Sequence, residues 1–149
     1  MAGSYSDWAD LTLCDSTDLQ NWQFNVFDFA DFNEFWAPNI LLAKNEIKKR
    51  IWALYPAVIT EEPIVTTYPT DYLVNPEILK EGCVFLTLCL GFKELVQFAG
   101  NDQNQARSDR FCQRFEKEWY SIRQFLQVDI NDDAVLEESN PLSVLFQAC

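Results

Sequence analysis

After Pro38, apolar residues recur every three or four positions for about four to five helical turns. This spacing puts them on one side of an α-helix and predicts a helix from about residue 39 to about residue 55. Pro56 ends it, because proline has no amide hydrogen and its ring clashes with the preceding turn. The predicted buried stripe is Ile40, Ala43, Ile47, Ile51 and Leu54.

Two further helices are predicted, joined by the short polar loop NDQNQA. Asn75 and Pro76 are typical of an N-cap and a first helical residue, and the run that follows is apolar on nearly every side, so this helix is predicted to be central and to end at Gly100. Gly82 and Gly91 within it suggest close helix packing. The third helix, about 103 to 128, has an apolar stripe of Phe111, Phe115, Trp119, Ile122 and Leu126.

A short connection between two long helices gives an antiparallel pair. The sequence therefore predicts a mainly α fold, a small helical bundle built on a long antiparallel helix hairpin, with an extended N-terminal arm and a C-terminal tail. Residues 57–75, with prolines and a β-branched centre, are expected to form an extended connector with one short strand at Ile64–Thr67.

The pattern divides the chain into three parts: an acidic aromatic arm at 1–38, a helical core at 39–128, and an acidic turn with an apolar tail at 129–149. Neither a helical nor a strand period fits the arm. Because exposed rings are unfavourable in water, we expect its aromatic residues to pack on the protein's own core or on a neighbouring molecule.

Composition excludes several functions. The net charge of −12 argues against broad binding to a nucleic-acid backbone, which needs clustered Lys and Arg. The chain has no histidine, so Ser/His/Asp and Cys/His catalysis are excluded, and with only four glycines it has no phosphate-binding loop. We expect no enzymatic activity, no cofactor and no metal site.

The acidic turn resembles part of a calcium loop. Asp129, Asn131 and Asp133 occupy the first, third and fifth positions of an EF-hand pattern. Ala134 replaces the glycine of the sixth position, and Asn140 replaces the bidentate glutamate of the twelfth. A solvated helix end is therefore the preferred interpretation.

The five cysteines match no zinc spacing, and we expect them to be small buried hydrophobic residues in a reducing compartment. No apolar run reaches the roughly 18 residues of a membrane span, and the start of the chain does not resemble a signal peptide. The sequence thus predicts no membrane partner.

Charge is unevenly distributed. No basic residue precedes Lys44, whereas Lys44, Lys48, Lys49 and Arg50 follow within seven residues. An acidic arm and a basic helix in one chain suggest pairing between copies, or with a partner of opposite charge. Two solvated faces are the alternative, and the sequence does not decide between them.

Several motifs together resemble the head–tail connector (adaptor) proteins of tailed bacteriophages. They are ILKEGCVFLTLCLGFKEL, EKEWYSIRQFLQV and DINDD, after a helix ending IWALYP. The resemblance implies a virion protein of the neck or tail region that forms a closed homo-oligomeric ring of about twelve copies. Such a ring joins the portal protein to a tail or nozzle protein and lets DNA pass without sequence-specific binding.

Candidate partner-binding residues follow from these patterns, since aromatic anchors often carry interface energy. Ordinary core packing is the alternative for the apolar ones. They are Trp22, Phe24, Phe27 and Phe29 in the arm, Lys44, Lys48, Lys49 and Arg50 on the basic helix, and Leu142, Leu145 and Phe146 in the tail. The alternative function is a small acidic inhibitor that mimics DNA and binds a host nucleic-acid enzyme.

Overall fold

The structure, a computed structural model, describes residues 5–99 and 102–129. Its main elements are α1 (Ser16–Trp22), α2 (Ala37–Leu54), β1 (Val58–Glu61), β2 (Ile64–Thr67), α3 (Lys80–Ala99) and α4 (Asp102–Phe125). Short 3-10 turns lie at Trp8–Asp10, Val26–Asp28, Pro69–Asp71 and Pro76–Leu79, and a π turn lies at Phe32–Trp36. The predicted mainly helical bundle is confirmed.

The centre of the fold is the antiparallel pair of α3 and α4. Gly82 lies against Ile122 at one end of the pair, and Cys89 is joined to Cys112 nearer the other. A Cβ added at Gly82 would meet the Ile122 Cδ1 at 2.8 Å, so the two helices approach closely there, as the glycine suggested. The predicted apolar stripe of α4 is buried along its whole length: Phe111, Phe115, Trp119, Ile122 and Leu126.

Helix α2 packs on α3 through the predicted stripe. Ala43, Ile47, Ile51 and Leu54 are fully buried, whereas Ile40 is only half-buried. The helix begins two residues before its predicted start because the π turn at Phe32–Trp36 runs directly into it. Tyr55 follows its last turn and donates a hydrogen bond from its hydroxyl to the Leu126 carbonyl at 3.2 Å, which joins the ends of α2 and α4.

The N-terminal segment, residues 5–36, is not the extended arm that the sequence predicted. It follows the surface of the helices in short turns and adds apolar side chains to the same core: Trp8, Leu13, Cys14, Leu19, Val26 and Trp36. Helix α1 is held by a capping box, in which Asp15 and Asp18 each accept a hydrogen bond from the other's backbone amide. Irregular turns bury large rings without a helical or strand period, which is why the pattern gave no element here.

Asn75 has a different role from the predicted one. It precedes a 3-10 turn, α3 itself begins at Lys80, and its side chain makes no hydrogen bond to that turn. Its amide instead donates to the Phe125 carbonyl at 2.8 Å, and its Oδ1 accepts from the Gln127 amide at 2.8 Å. Asn75 therefore provides hydrogen-bond partners for the backbone at the C-terminal end of α4, where carbonyl groups have no partner within the helix.

The connector contains a β-hairpin, of which only the second strand was predicted. β2, Ile64–Thr67, has the predicted bounds, and β1 pairs with it antiparallel from Val58 opposite Thr67 to Glu61 opposite Ile64. Every residue from 58 to 66 is exposed. The hairpin therefore projects from the bundle.

The expectation that all cysteines are packed thiols is corrected for one pair. Cys89 and Cys112 form a disulfide between α3 and α4, with their Cα atoms 4.8 Å apart. Cys14 and Cys83 are buried free thiols, and the Cys14 Sγ donates to the Cys83 Sγ at 3.3 Å. This hydrogen bond and burial both raise the pKa of the Cys14 thiol. Cys149 lies outside the described residues.

Candidate interaction surfaces

Three of the four aromatic candidates of the N-terminal segment pack against other parts of the same chain. The Trp22 indole nitrogen donates to the Glu81 carboxylate at 2.7 Å, and its ring packs edge-on against Phe85 at 4.8 Å. Phe29 packs against Phe92 at 5.3 Å. Phe27 is half-buried and packs on a neighbouring ring of the same segment. Contacts within the chain therefore cover more than half of each of these three side chains.

Phe24 differs from the other three. Its side chain is 84% exposed and lies in the turn between α1 and the Val26–Asp28 turn. Trp22, at the end of α1 and two residues earlier in the sequence, still exposes 40% of its surface. Exposed aromatic side chains of this kind are typical of a contact for another molecule.

Lys44 binds the protein's own N-terminal segment. Its ammonium group donates to the Leu11 carbonyl at 2.7 Å and to the Ala9 carbonyl at 3.4 Å, and it lies 5.5 Å from the centre of the Trp8 ring. Burial lowers the pKa of Lys44, and nearby Cys83 and Asp10 oppose this effect. The expected attraction between the N-terminal segment and the basic helix thus operates within one chain at this residue.

Arg50 is also used inside the chain. Its guanidinium donates two hydrogen bonds to the Glu116 carboxylate, at 2.7 and 3.2 Å, and lies 3.7 Å from Glu46. It covers the Phe115 ring at 4.8 Å. This arrangement joins α2 to α4 and pairs the Arg50 guanidinium with two carboxylates.

Lys48 and Lys49 lie beside a groove between α2 and α3. The groove has a volume of about 590 Å³. We call it the basic groove; its residues are Leu42, Asn45, Glu46, Lys48, Lys49 and Arg50 on α2 and Leu86 and Leu90 on α3. Lys49 is exposed, and Leu42, which is 56% exposed, continues the apolar floor outward. The two lysines leave the groove positive, because Arg50 is paired with Glu46 and Glu116.

The β-hairpin presents a second exposed surface that the sequence interpretation missed. Side chains alternate along each strand, and paired residues share a face, so one face carries Ile59, Glu61, Ile64 and Thr66. We call this the outer hairpin face. Ile59 and Ile64 are 65% and 81% exposed, whereas Val58 and Val65 on the opposite face are more covered. The signal in the sequence was the pair of apolar runs that flank Glu-Glu-Pro, from Val58 to Val65.

Of the predicted acidic turn and tail, residues 129–149, the structure describes only Asp129. Asp129 is buried, and its carboxylate accepts a hydrogen bond from the Tyr5 hydroxyl at 3.0 Å, so it joins both ends of the described chain. Asn131, Asp133 and the tail residues Leu142, Leu145 and Phe146 lie outside the described residues. Within residues 5–99 and 102–129, no cluster of three or more acidic or cysteine side chains is arranged to hold a metal ion.

A membrane-spanning helix is also absent from the part of the chain that the structure describes, since none of its helices combines the necessary length and apolar character. No protein-family model, curated protein or solved structure matches the chain. Interpretation of its function therefore rests on its own surfaces.

Proposed function

We propose that the protein is a structural component of a tailed-phage virion, an adaptor that forms a ring between the portal and a tail or nozzle protein. The observation that carries the proposal is the presence of two unlike exposed surfaces on one small bundle, the outer hairpin face and the basic groove. Two different patches that contact each other make a head-to-tail interface, which closes into a ring when the rotation between neighbours permits.

The exposed apolar residues support an assembling protein over a monomeric one. Ile59, Ile64 and Leu42 each expose more than half of their surface, whereas Ile47, Ile51 and Leu54 are fully buried. Clustered apolar exposure of this kind marks sites of protein contact. Each ring subunit needs contacts to two neighbours, to the portal and to the next tail component.

The acidic charge is compatible with passage of DNA through such a ring. With a net charge of −12, copies lining a channel repel the phosphate backbone and do not retain it. Phe24 and Trp22 are the proposed anchors for the portal or tail protein, together with Leu142, Leu145 and Phe146 of the C-terminal tail. In this role the protein acts without catalysis, cofactor or metal.

The experiment that tests the proposal is light scattering of the purified protein at two salt concentrations, with and without a portal protein, followed by electron microscopy of any large species. We expect closed rings, alone or on the portal. A chain that remains monomeric under all these conditions would contradict the adaptor role. Capture of a basic nucleic-acid enzyme with affinity that falls steeply with salt would favour the DNA-mimic alternative.

A further inference from the structure

We propose that the outer hairpin face of one copy docks into the basic groove of the next copy. This inference rests on the proposed ring, and it names the contact that builds it. The occupant of the groove is therefore a second copy of this chain, and the interface is head-to-tail.

The first argument is chemical complementarity. The outer hairpin face carries two exposed isoleucines, with Glu61 on the same face and Glu62 at the turn. The basic groove has an apolar floor of leucines bordered by Lys48 and Lys49. Apolar side chains thus meet an apolar floor, while two carboxylates meet two ammonium groups at its edge.

The second argument is that the described residues leave both surfaces open. Ile64 is 81% exposed, so nothing within residues 5–99 and 102–129 covers this part of the hairpin. A two-stranded hairpin is marginally stable by itself in water, and it gains stability when one face packs against another surface. The groove has a volume of about 590 Å³, and Leu42 on its floor is 56% exposed, so a partner side chain can reach it.

The third argument is that the other charges of the basic helix are already used. Lys44 holds the N-terminal segment, and Arg50 holds Glu116. Lys48 lies 5.1 Å from the Trp52 ring centre and is half-buried, and this ring contact leaves its charge without a carboxylate partner among the ion pairs of the described residues. The positive charge offered to a partner is therefore concentrated at Lys48 and Lys49, where the hairpin of the next copy would arrive.

The test is a charge-swap experiment on the full chain. One variant reverses the hairpin, Glu61→Lys with Glu62→Lys, and a second reverses the groove, Lys48→Glu with Lys49→Glu. Each variant alone brings like charges together, and we expect its self-association to weaken at least about tenfold. A 1:1 mixture restores opposite charges at every contact, so assembly should return, in alternating order.

A matched control reverses two exposed acids elsewhere, Asp28→Lys with Glu34→Lys, which changes net charge as much as the hairpin variant does. It should assemble like the unmodified protein. If the control loses assembly as strongly, or the mixture fails to restore it, net charge and not this contact governs association, and the proposal is wrong.

Photo-crosslinking separates this contact from the adaptor role. A benzophenone amino acid replacing Ile64 should crosslink to peptides of a second copy that contain Leu42 or Leu86. Rings on a portal that crosslink elsewhere would overturn the contact and leave the adaptor role intact. Hairpin-to-groove crosslinks in assemblies that do not bind a portal protein would support the contact and contradict the adaptor role. A chain that never associates would overturn both.

Discussion

The N-terminal segment and the β-hairpin both lack a helical period, but they differ in how far their apolar side chains are buried. The segment buries Trp8, Leu19 and Trp36 in the core, whereas the hairpin leaves Ile59 and Ile64 exposed. The segment has large aromatic rings, some of which carry a polar group. The Trp36 indole nitrogen, for example, donates to the Ala30 carbonyl at 3.1 Å. The hairpin has aliphatic side chains on both sides of Glu61 and Glu62. We infer from this difference that the segment stabilises the fold, and we propose that the hairpin takes part in assembly.

The strongest test of that difference is removal of the segment's main anchor. Trp36 is fully buried and packs against Phe92 at 5.5 Å. Trp36→Ala should reduce the free energy of unfolding by about 3–5 kcal/mol, because a large cavity opens between the segment and α3. Urea unfolding followed by circular dichroism measures this. A loss below about 1 kcal/mol would show that the segment is not part of the core.

The same contact can be tested from the side of α3. A Cβ at Gly91 would overlap the Trp36 ring, so Gly91→Ala should cost about 1–3 kcal/mol despite the better helix propensity of alanine. Gly82→Ala is the matched control, since there the close contact of the added Cβ is with the flexible end of Ile122, and Glu118 and Phe115 lie at 3.9 Å. We expect the control to be nearly neutral in the same urea titration. Equal costs for both variants would contradict the Trp36 packing.

Lys44 tests how the segment is tied to α2. Lys44→Met keeps the aliphatic stem but removes the ammonium donor to the Leu11 carbonyl, and should cost roughly 1–2 kcal/mol. Amide hydrogen exchange should accelerate around residues 9–11. Lys48→Met is the control, with an expected cost below about 1 kcal/mol, since Lys48 only covers the Trp52 ring. An unchanged rate of amide hydrogen exchange in the Lys44 variant would show that Lys44 does not hold the N-terminal segment on α2.

The hairpin should respond in the opposite way. Ile59→Ser with Ile64→Ser should change stability by no more than about 0.5 kcal/mol, because both side chains are exposed in the monomer. Self-association, measured by sedimentation, should nevertheless fall. A large loss of monomer stability would show that the hairpin, like the N-terminal segment, stabilises the fold.

The smallest expected effect concerns Glu118, close to where Trp22 meets Glu81. Burial, and then the negative charge of Glu81, raise the pKa of Glu118. The folded state therefore holds this proton more tightly than the unfolded state, and its contribution to stability is lost as pH rises through the raised pKa. Glu118→Gln should stabilise the protein slightly at neutral pH, by less than about 0.5 kcal/mol, and the difference should vanish at low pH.

Thermal unfolding across a pH series checks the Glu118 prediction. Glu116→Gln is a control of opposite sign, because it removes the partner of Arg50 and should destabilise by up to about 1 kcal/mol. If Glu118→Gln is also destabilising at neutral pH, the environment of that carboxyl is not the one described.

The sequence by itself determined the helical core. The stripes of α2 and α4 were predictable because a helix repeats its buried face at a constant spacing, and the glycines of α3 indicated close packing before any contact was known. The second strand of the hairpin was predictable from its β-branched residues. Among the candidate site residues, Phe24, Trp22 and Lys49 are exposed and Lys48 is half-buried.

Only the tertiary structure decided the rest. Whether Trp22, Lys44 and Arg50 face a partner or their own chain depends on residues 30 to 70 positions away, which no local pattern encodes. Asn75 closes α4 instead of opening α3 for the same reason. The local spacing of apolar residues determines which side of a helix or strand is apolar. Which part of the protein covers that side is determined by contacts between residues that are distant in the sequence.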